Sequence, residues 1–245
     1  MKTKHTSIIR LFGFAAIMVL GVVSIIGSGG GGGGGGTTNP ETVFPLHEIN
    51  TDAPQGFEAT FTGTGVVTVE GTKYDVTGSY NIQVLADVYL ATYDVMATPY
   101  QSLLNITITS NNATISILTT TYMNVPTAQN TYDGPVIQIV DNTDILIPIQ
   151  YNPLPDVGQL GDFGEVTSWL YDNGDTVSGT WLLKSSQPGF INLEINYRVE
   201  DSLGNLIMLE TDTFKISEDG VIVSATVNAQ SFVDDVLIDF LANRN

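Results

Sequence analysis

The sequence predicts an all-β fold: an antiparallel β-sandwich or barrel of about a dozen strands. Polar and apolar residues alternate along many segments, which is the pattern of strands with one buried face and one wet face. Short sequences typical of β-hairpin turns separate these segments, so successive strands are expected to pair as neighbours. Residues 37–245 number 209, which is enough for one sizeable core.

The alternation is cleanest in segments 74–84 and 191–200. In both segments, polar side chains occupy the positions between the apolar ones. The predicted inward faces carry Val76, Tyr80, Ile82, Val84, Ile191, Leu193, Ile195, Tyr197 and Val199. Each segment is therefore expected to be a half-buried strand.

Four short sequences predict tight turns between such strands. Each contains Asn, Asp or Gly, which tolerate the left-handed backbone conformation that tight turns demand. The four turns are Asn111-Asn112, Asn173-Gly174, Leu203-Gly204-Asn205 and Asp219-Gly220.

Two longer segments, 124–135 and 148–164, interrupt the alternation and are rich in Pro, Gly and Asn. Sequences of this composition are poorly suited to ladder pairing. No repeat relates the strands before and after them. Residues 41–245 are therefore expected to form a single β domain with two long connections.

A helix is predicted at the C-terminus, where the alternation stops. Ser231 and Asp234 have the spacing of a capping box, with Asp in place of the usual Glu or Gln. Apolar residues then recur at helical spacing. They are Val233, Val236, Leu237, Phe240 and Leu241. One amphipathic helix is expected to dock on the sheet or to close one end of the barrel.

Residues 1–28 are typical of an export signal or an N-terminal membrane anchor. A basic start precedes the uncharged stretch Leu11 to Ile26, whose 16 residues suit a signal peptide better than a membrane-spanning helix. The sequence Ile25-Ile26-Gly27-Ser28 resembles the processing box of bacterial lipoproteins, but Ser28 stands where the lipid-bearing cysteine belongs. The protein is expected to be exported to the periplasm, cell envelope or extracellular space, and both cleavage and anchoring stay open.

Residues 29–40 predict a flexible tether. Eight consecutive glycines, Gly29 to Gly36, have no side chains to pack and the most backbone entropy to lose on ordering. As a random coil this run reaches about 15 Å. The tether would separate the β domain from a membrane or a cleavage site.

The composition argues against several classes of partner. The formal net charge is −18, with 26 acidic and 8 basic residues, and every acid follows Gly36. Nucleic acids and anionic lipids are bound by basic surfaces, so no nucleic-acid partner is expected, and membrane contact is expected only through the N-terminal segment. Because the chain has no cysteine, disulfides, thiolate nucleophiles and cysteine metal sites are excluded as well.

Calcium is the metal that this composition accommodates best, because the available ligands are mostly oxygens. Asp141 and Asp144 lie three residues apart, as do Asp172 and Asp175. Neither pair completes the EF-hand loop. We predict these four carboxylates as candidate Ca²⁺ ligands with a Kd of about 0.1–1 mM, as in extracellular modules, and no other cofactor is expected.

Catalytic chemistry has weaker support in the sequence. His47 is the only histidine after the tether, and no nucleophile motif accompanies it. Asp162 and Glu165 lie near aromatic residues in the second long connection, where acids are expected to be solvated. A non-catalytic protein is therefore predicted, with a carboxylate-dependent polysaccharide hydrolase as one alternative.

The outward faces of the predicted strands are rich in Thr, Asn and Ser, a profile compatible with a carbohydrate or protein ligand. Aromatic residues in the alternating runs are expected mostly in the core, and some could serve as stacking platforms. These are Tyr89, Tyr93, Tyr100, Trp169 and Trp181.

The sequence therefore predicts an exported, non-catalytic binding or structural β module: an adhesive, carbohydrate-binding or Ca²⁺-stabilised surface protein. The first alternative, ahead of the hydrolase, is a β-barrel carrier of an apolar small ligand. Its hollow interior would be lined by Val76, Tyr80, Ile82, Ile195 and Tyr197.

Overall fold

The computed structural model describes residues 42–46, 55–130, 135–140, 144–150, 152, 154–171, 174–233 and 235–245. The fold of these residues is all-β, and none of them lies in a helix. Accordingly, the described residues contain no helix long and apolar enough to cross a membrane. The predicted export signal, the tether and His47 lie outside the described residues.

Fifteen strands follow one another along the described chain. They are β1 (Phe44–Pro45), β2 (Glu58–Val69), β3 (Thr72–Val84), β4 (Val88–Leu90), β5 (Val95–Ile108), β6 (Ala113–Asn124), β7 (Pro135–Val140), β8 (Asp144–Gln150), β9 (Val157–Gly158), β10 (Phe163–Tyr171), β11 (Thr176–Ser185), β12 (Phe190–Glu200), β13 (Leu206–Ser217), β14 (Ile222–Ser231) and β15 (Val236–Arg244).

Thirteen strands form one antiparallel sheet, and β1 pairs with β9 in a separate two-stranded sheet. The order in the large sheet is β3-β2-β15-β14-β13-β12-β11-β10-β8-β7-β6-β5-β4. A further pairing of β3 with β5, from Val76↔Ile108 to Val84↔Tyr100, joins the two ends. Twelve strands thereby form a closed ring, and β4 extends from β5 outside it. Of the two predicted architectures, the barrel is the one observed.

Hairpins form at the four predicted turn sequences. Asn112 lies between β5 and β6 with φ of 55°, and Gly220 lies between β13 and β14 with φ of 80°. Both values are in the left-handed region that the turn prediction required. Asn173 lies outside the described residues, although β10 and β11 on either side of it do pair.

The alternating residues face the barrel interior, as predicted. All nine residues predicted on the inward faces of 74–84 and 191–200 are buried, and none is more than 6% exposed. They include the five residues that would line a ligand carrier. Each of these five side chains is exposed by 6% or less, so they line no open cavity.

Glycines on β2 and β3 occupy positions where neighbouring atoms leave no room for a Cβ. A Cβ at Gly63 would overlap the carbonyl oxygen of Leu241 on β15, and one at Gly65 would overlap that of Asp239. At Gly78 on β3, a Cβ would lie 3.3 Å from the Phe240 ring. Backbones can approach this closely only without side chains, which is how glycine introduces curvature into a closed sheet.

The second long connection is more ordered than its composition predicts. Pro148 pairs with Trp169 next to a register shift between β8 and β10, an irregularity of the kind that tolerates a residue without an N–H. Further along, β9 pairs with β1. Leu46 and Leu154, beside these short strands, are buried in the main core. Part of segment 148–164 therefore packs on the barrel.

The prediction of a C-terminal helix is wrong, because residues 236–244 form β15. This strand pairs with β14 on one side and with β2 on the other, and its buried residues alternate. They are Val236, Ile238, Phe240 and Ala242. The apolar residues that fit helical spacing also fit a period of two, and backbone pairing on both sides favours the strand.

Candidate functional site

Two acidic residues lie inside the barrel on β13. The buried positions of this strand are Met208, Glu210, Asp212, Phe214 and Ile216. Inner and outer positions alternate along a strand, so the register that buries Phe214 and Ile216 also places the two acids inside.

Two tyrosines reach the same region from different parts of the wall. Tyr197 on β12 is directly opposite Glu210 in register. Tyr80 lies on β3, five positions from β12 in the ring of twelve strands. Burial, followed by the charges of Asp212 and Glu210, raises the pKa of both tyrosine hydroxyls. These four side chains, the interior cluster, are therefore close enough inside the barrel for their charges to interact.

The polar atoms of the interior cluster are sealed from solvent and unpaired. The exposed fractions are 6% for Tyr80, 1% for Tyr197, 2% for Glu210 and 1% for Asp212. Neither hydroxyl and none of the carboxyl oxygens has a hydrogen-bond partner among the described residues. A buried unpaired polar group costs roughly 1–3 kcal/mol, and a buried unpaired charge costs more. Protons, water or a cation must therefore compensate these groups.

The two carboxyl groups influence each other's protonation. Burial raises the pKa of both well above the usual range. The charge of Asp212 raises the pKa of Glu210 further. Burial therefore favours the protonated form of both carboxyl groups, and their proximity makes it harder for both to be ionised at once.

Small residues and an aromatic contact shape the space around the interior cluster. Gly179 is opposite Tyr197 on β11, and a Cβ there would lie 3.0 Å from the tyrosine ring. Ala229 is opposite Glu210 on β14. The Tyr80 ring packs against Phe61, with 5.9 Å between ring centroids. The tyrosines are thus held by packing rather than by hydrogen bonds from their hydroxyls.

No lysine or arginine after Gly36 neutralises the two acids. Four of these five basic residues, Lys73, Lys184, Arg198 and Lys215, occupy outward positions on their strands. The fifth, Arg244, donates to the carbonyl oxygen of Ile222 at 3.3 Å. The interior cluster thus carries up to two negative charges without a basic side chain among the described residues to balance them.

The predicted calcium ligands are only partly described. Asp141 and Asp172 lie outside the described residues, and Asp144 is described only as the first residue of β8. Asp175 is buried immediately before β11. Within the described part of the chain, no group of three or more His, Asp or Glu side chains is arranged to hold a metal ion. These four acids stay predicted ligands.

The other candidate acids lie near the surface. The Asp162 carboxylate accepts a hydrogen bond from the Gln159 amide at 2.8 Å and so supports the turn before β10. Glu165 occupies an exposed position on β10. Asp162 therefore already has a structural role in this turn.

The candidate aromatic platforms divide between core and surface. Tyr100 and Trp181 are buried, as expected for residues in alternating runs. Tyr89 and Tyr93 are exposed near β4, and the Tyr89 hydroxyl donates to Asp94. The side chain of Trp169 is not among those described.

Eight uncharged polar residues lie side by side on the outer face of β2, β3, β5 and β6. Two rows of directly paired residues cross these four strands. The rows, together called the polar face, are Thr62, Ser79, Asn105 and Ser116, and Thr64, Thr77, Thr107 and Thr114. The Ser116 hydroxyl donates to Asn105 Oδ1 at 2.6 Å, and the hydroxyls of Thr107 and Thr114 lie 2.9 Å apart.

Sequence reasoning missed the acidic half of the interior cluster. It placed Tyr80 and Tyr197 inside the domain but assigned no position to Glu210 and Asp212. The sequence LIMLETDTFKIS did contain the information needed. Glu210, Asp212 and Phe214 are spaced two residues apart, so a strand that turns Phe214 inward places both acids on the same inner face.

No protein family, no curated protein and no solved structure matches the chain. Function must therefore be argued from the site itself rather than from the fold.

Proposed function

We propose that the protein is an exported, non-catalytic binding module that contacts a neutral, hydroxyl-rich partner such as a polysaccharide through the polar face. The observation that carries the proposal is the pair of four-residue rows across β2, β3, β5 and β6. Neutral hydroxyl and amide groups can donate to and accept from sugar hydroxyls, and the paired strands hold them at fixed spacing.

The charge of the chain also favours a neutral partner. The net charge of −18 repels acidic polymers, yet none of the eight side chains of the polar face is charged. The polar face is thus a neutral patch on a strongly anionic protein. Attraction there must come from hydrogen bonds and contact area rather than from ion pairing.

The burial of the two acids whose pKa is raised favours a binding function over a hydrolytic one. A glycosidase needs two carboxyl groups on either side of a bond in a bound sugar. Glu210 and Asp212, the described acids whose pKa is raised, are sealed inside the barrel with 2% and 1% exposure. A polymer chain cannot reach them without the wall opening.

Co-sedimentation with insoluble polysaccharides tests the proposal. The full chain, purified in detergent, is expected to sediment with at least one neutral polysaccharide of a panel while releasing no new reducing ends. Asn105→Ala removes a side chain that bonds to Ser116 in the centre of the polar face, and should weaken binding about tenfold, the effect of roughly 1–1.5 kcal/mol.

Asn196→Ala is the matched control. Asn196 also faces outward in a cross-strand hydrogen bond, with its Oδ1 accepting from the Thr211 hydroxyl at 2.8 Å, but it lies on β12. Its variant should bind like the parent protein. Equal losses in both variants, or release of reducing ends, would contradict the proposal.

A further inference from the structure

The interior cluster offers a concentrated set of unpaired oxygen atoms. Four carboxyl oxygens and two phenolic oxygens, all buried, have no hydrogen-bond partner among the described residues. The two tyrosines come from β12 and β3, so the set is assembled from separate parts of the ring and is not a local run of acids. An arrangement of this kind requires a compensating group.

Size and charge restrict what that group can be. Each of these oxygen atoms has almost no solvent-accessible surface, which leaves no room for an organic molecule. Two ionised carboxylates carry a charge of −2, and none of the Lys and Arg residues after Gly36 lies beside them. A single small divalent cation would balance the charge.

The chemistry of the ligands favours calcium. Oxygen-only sites suit hard cations, and Ca²⁺ accepts 6–8 oxygens in flexible geometry with bidentate carboxylates. Two bidentate carboxylates and two hydroxyls supply about six oxygens, the lower end of that range. Mg²⁺ demands stricter geometry and usually keeps several waters, which suits a sealed interior less well.

We propose that Glu210, Asp212, Tyr80 and Tyr197 bind one Ca²⁺ ion inside the barrel and that this ion ties β13 and β12 to β3. The proposal is independent of the polar face, because it concerns the interior rather than the outer surface. It also uses residues other than the predicted ligands Asp141, Asp144, Asp172 and Asp175.

Terbium luminescence tests the site directly. Tb³⁺ takes the oxygen ligands of Ca²⁺, and its emission is sensitised by a tyrosine excited within a few ångströms. The full chain in detergent, with Tb³⁺ as the probe, is expected to show tyrosine-sensitised emission that CaCl₂ competes away. E210Q/D212N should reduce this emission at least fivefold.

A second variant guards against loss of emission through misfolding. Y197F keeps the ring and both carboxylates, so it should fold and still bind the ion, yet it should lower the sensitised emission by about half. As the matched control, D141N/D144N/D172N/D175N should retain the emission of the parent protein.

Calcium itself should stabilise the parent chain. At ten times its Kd, CaCl₂ is expected to raise Tm by about 3–5 °C relative to EDTA, and this shift should vanish in E210Q/D212N. Emission that persists in E210Q/D212N or is unchanged in Y197F, emission that requires Asp141, Asp144, Asp172 and Asp175, or a Tm indifferent to calcium and EDTA would each overturn the proposal.

Discussion

The buried acid pair predicts that the barrel loses stability as the pH rises. In the unfolded chain, Asp and Glu titrate near pH 4, whereas burial raises the pKa of Glu210 and Asp212 in the folded protein. Above about pH 4 the folded state therefore keeps protons that the unfolded state has released. Stability falls with pH wherever the folded state binds more protons. The protons held by Glu210 and Asp212 thus contribute stability that is fully present below the pKa of these groups in the unfolded chain. This stability is lost as the pH rises through their higher pKa in the folded protein.

The magnitude follows from the number of protons retained. One extra proton in the folded state gives a slope of about 1.4 kcal/mol per pH unit. If the pair keeps one proton throughout, raising the pH from 5 to 7 lowers the free energy of unfolding by about 2.7 kcal/mol. E210Q/D212N, which cannot titrate at these positions, should lack this component. At pH 7 this variant should be the more stable protein, because it carries no buried charge.

Urea unfolding followed by tryptophan fluorescence measures the effect. Both proteins are unfolded in EDTA at several pH values between 5 and 7, since a bound divalent ion would displace the proton. The difference between their free energies of unfolding isolates the pair from the other 24 of the 26 acidic residues. Parallel pH profiles for the two proteins would refute the reasoning, because they would mean that neither acid binds a proton more tightly when the protein folds.

Two further predictions concern the wall of the barrel. Gly63→Ala places a Cβ against the Leu241 carbonyl oxygen and should lower the free energy of unfolding by about 1–3 kcal/mol in urea, whereas Thr62→Ala, at an exposed position next to it, should change it by less than about 0.5 kcal/mol. Leu237→Lys should fold normally and keep its far-ultraviolet circular dichroism, because Leu237 faces outward on β15, whereas Ile238→Lys should unfold the protein. The opposite ranking of these two lysine variants would favour the helix over the strand.

Local signals in the sequence predicted much of the fold. Alternation placed Ile195 and Tyr197 inside, since a strand with one wet face has no other stable register. Asn112 and Gly220 marked hairpins because few other residues adopt a positive φ cheaply. The closure of the ring could not be predicted in this way, since pairing of β15 with β2 joins segments about 170 residues apart in sequence, without a local signal.

The C-terminal strand and the interior acids show why the rest was missed. Val236 and Phe240 fit both a period of two and helical spacing, and only the edges offered by β14 and β2 decide between them. The interior position of Glu210 and Asp212 was not predicted, because acidic residues are generally expected to lie in water. Their burial follows from the register of β13, which apolar neighbours along the strand determine.

Closure of the ring by β15 also has a consequence for how the protein is made. Until that strand is available, β14 and β2 each present an unpaired edge, which is the kind of surface that promotes aggregation. The final contacts, such as the Asn245 amide donating to the Thr60 carbonyl oxygen at 3.0 Å, join the two ends of the domain. Such long-range pairing makes folding slow. A chain secreted from its N-terminus would thus stay unfolded during translocation and complete its barrel only after the last strand has crossed.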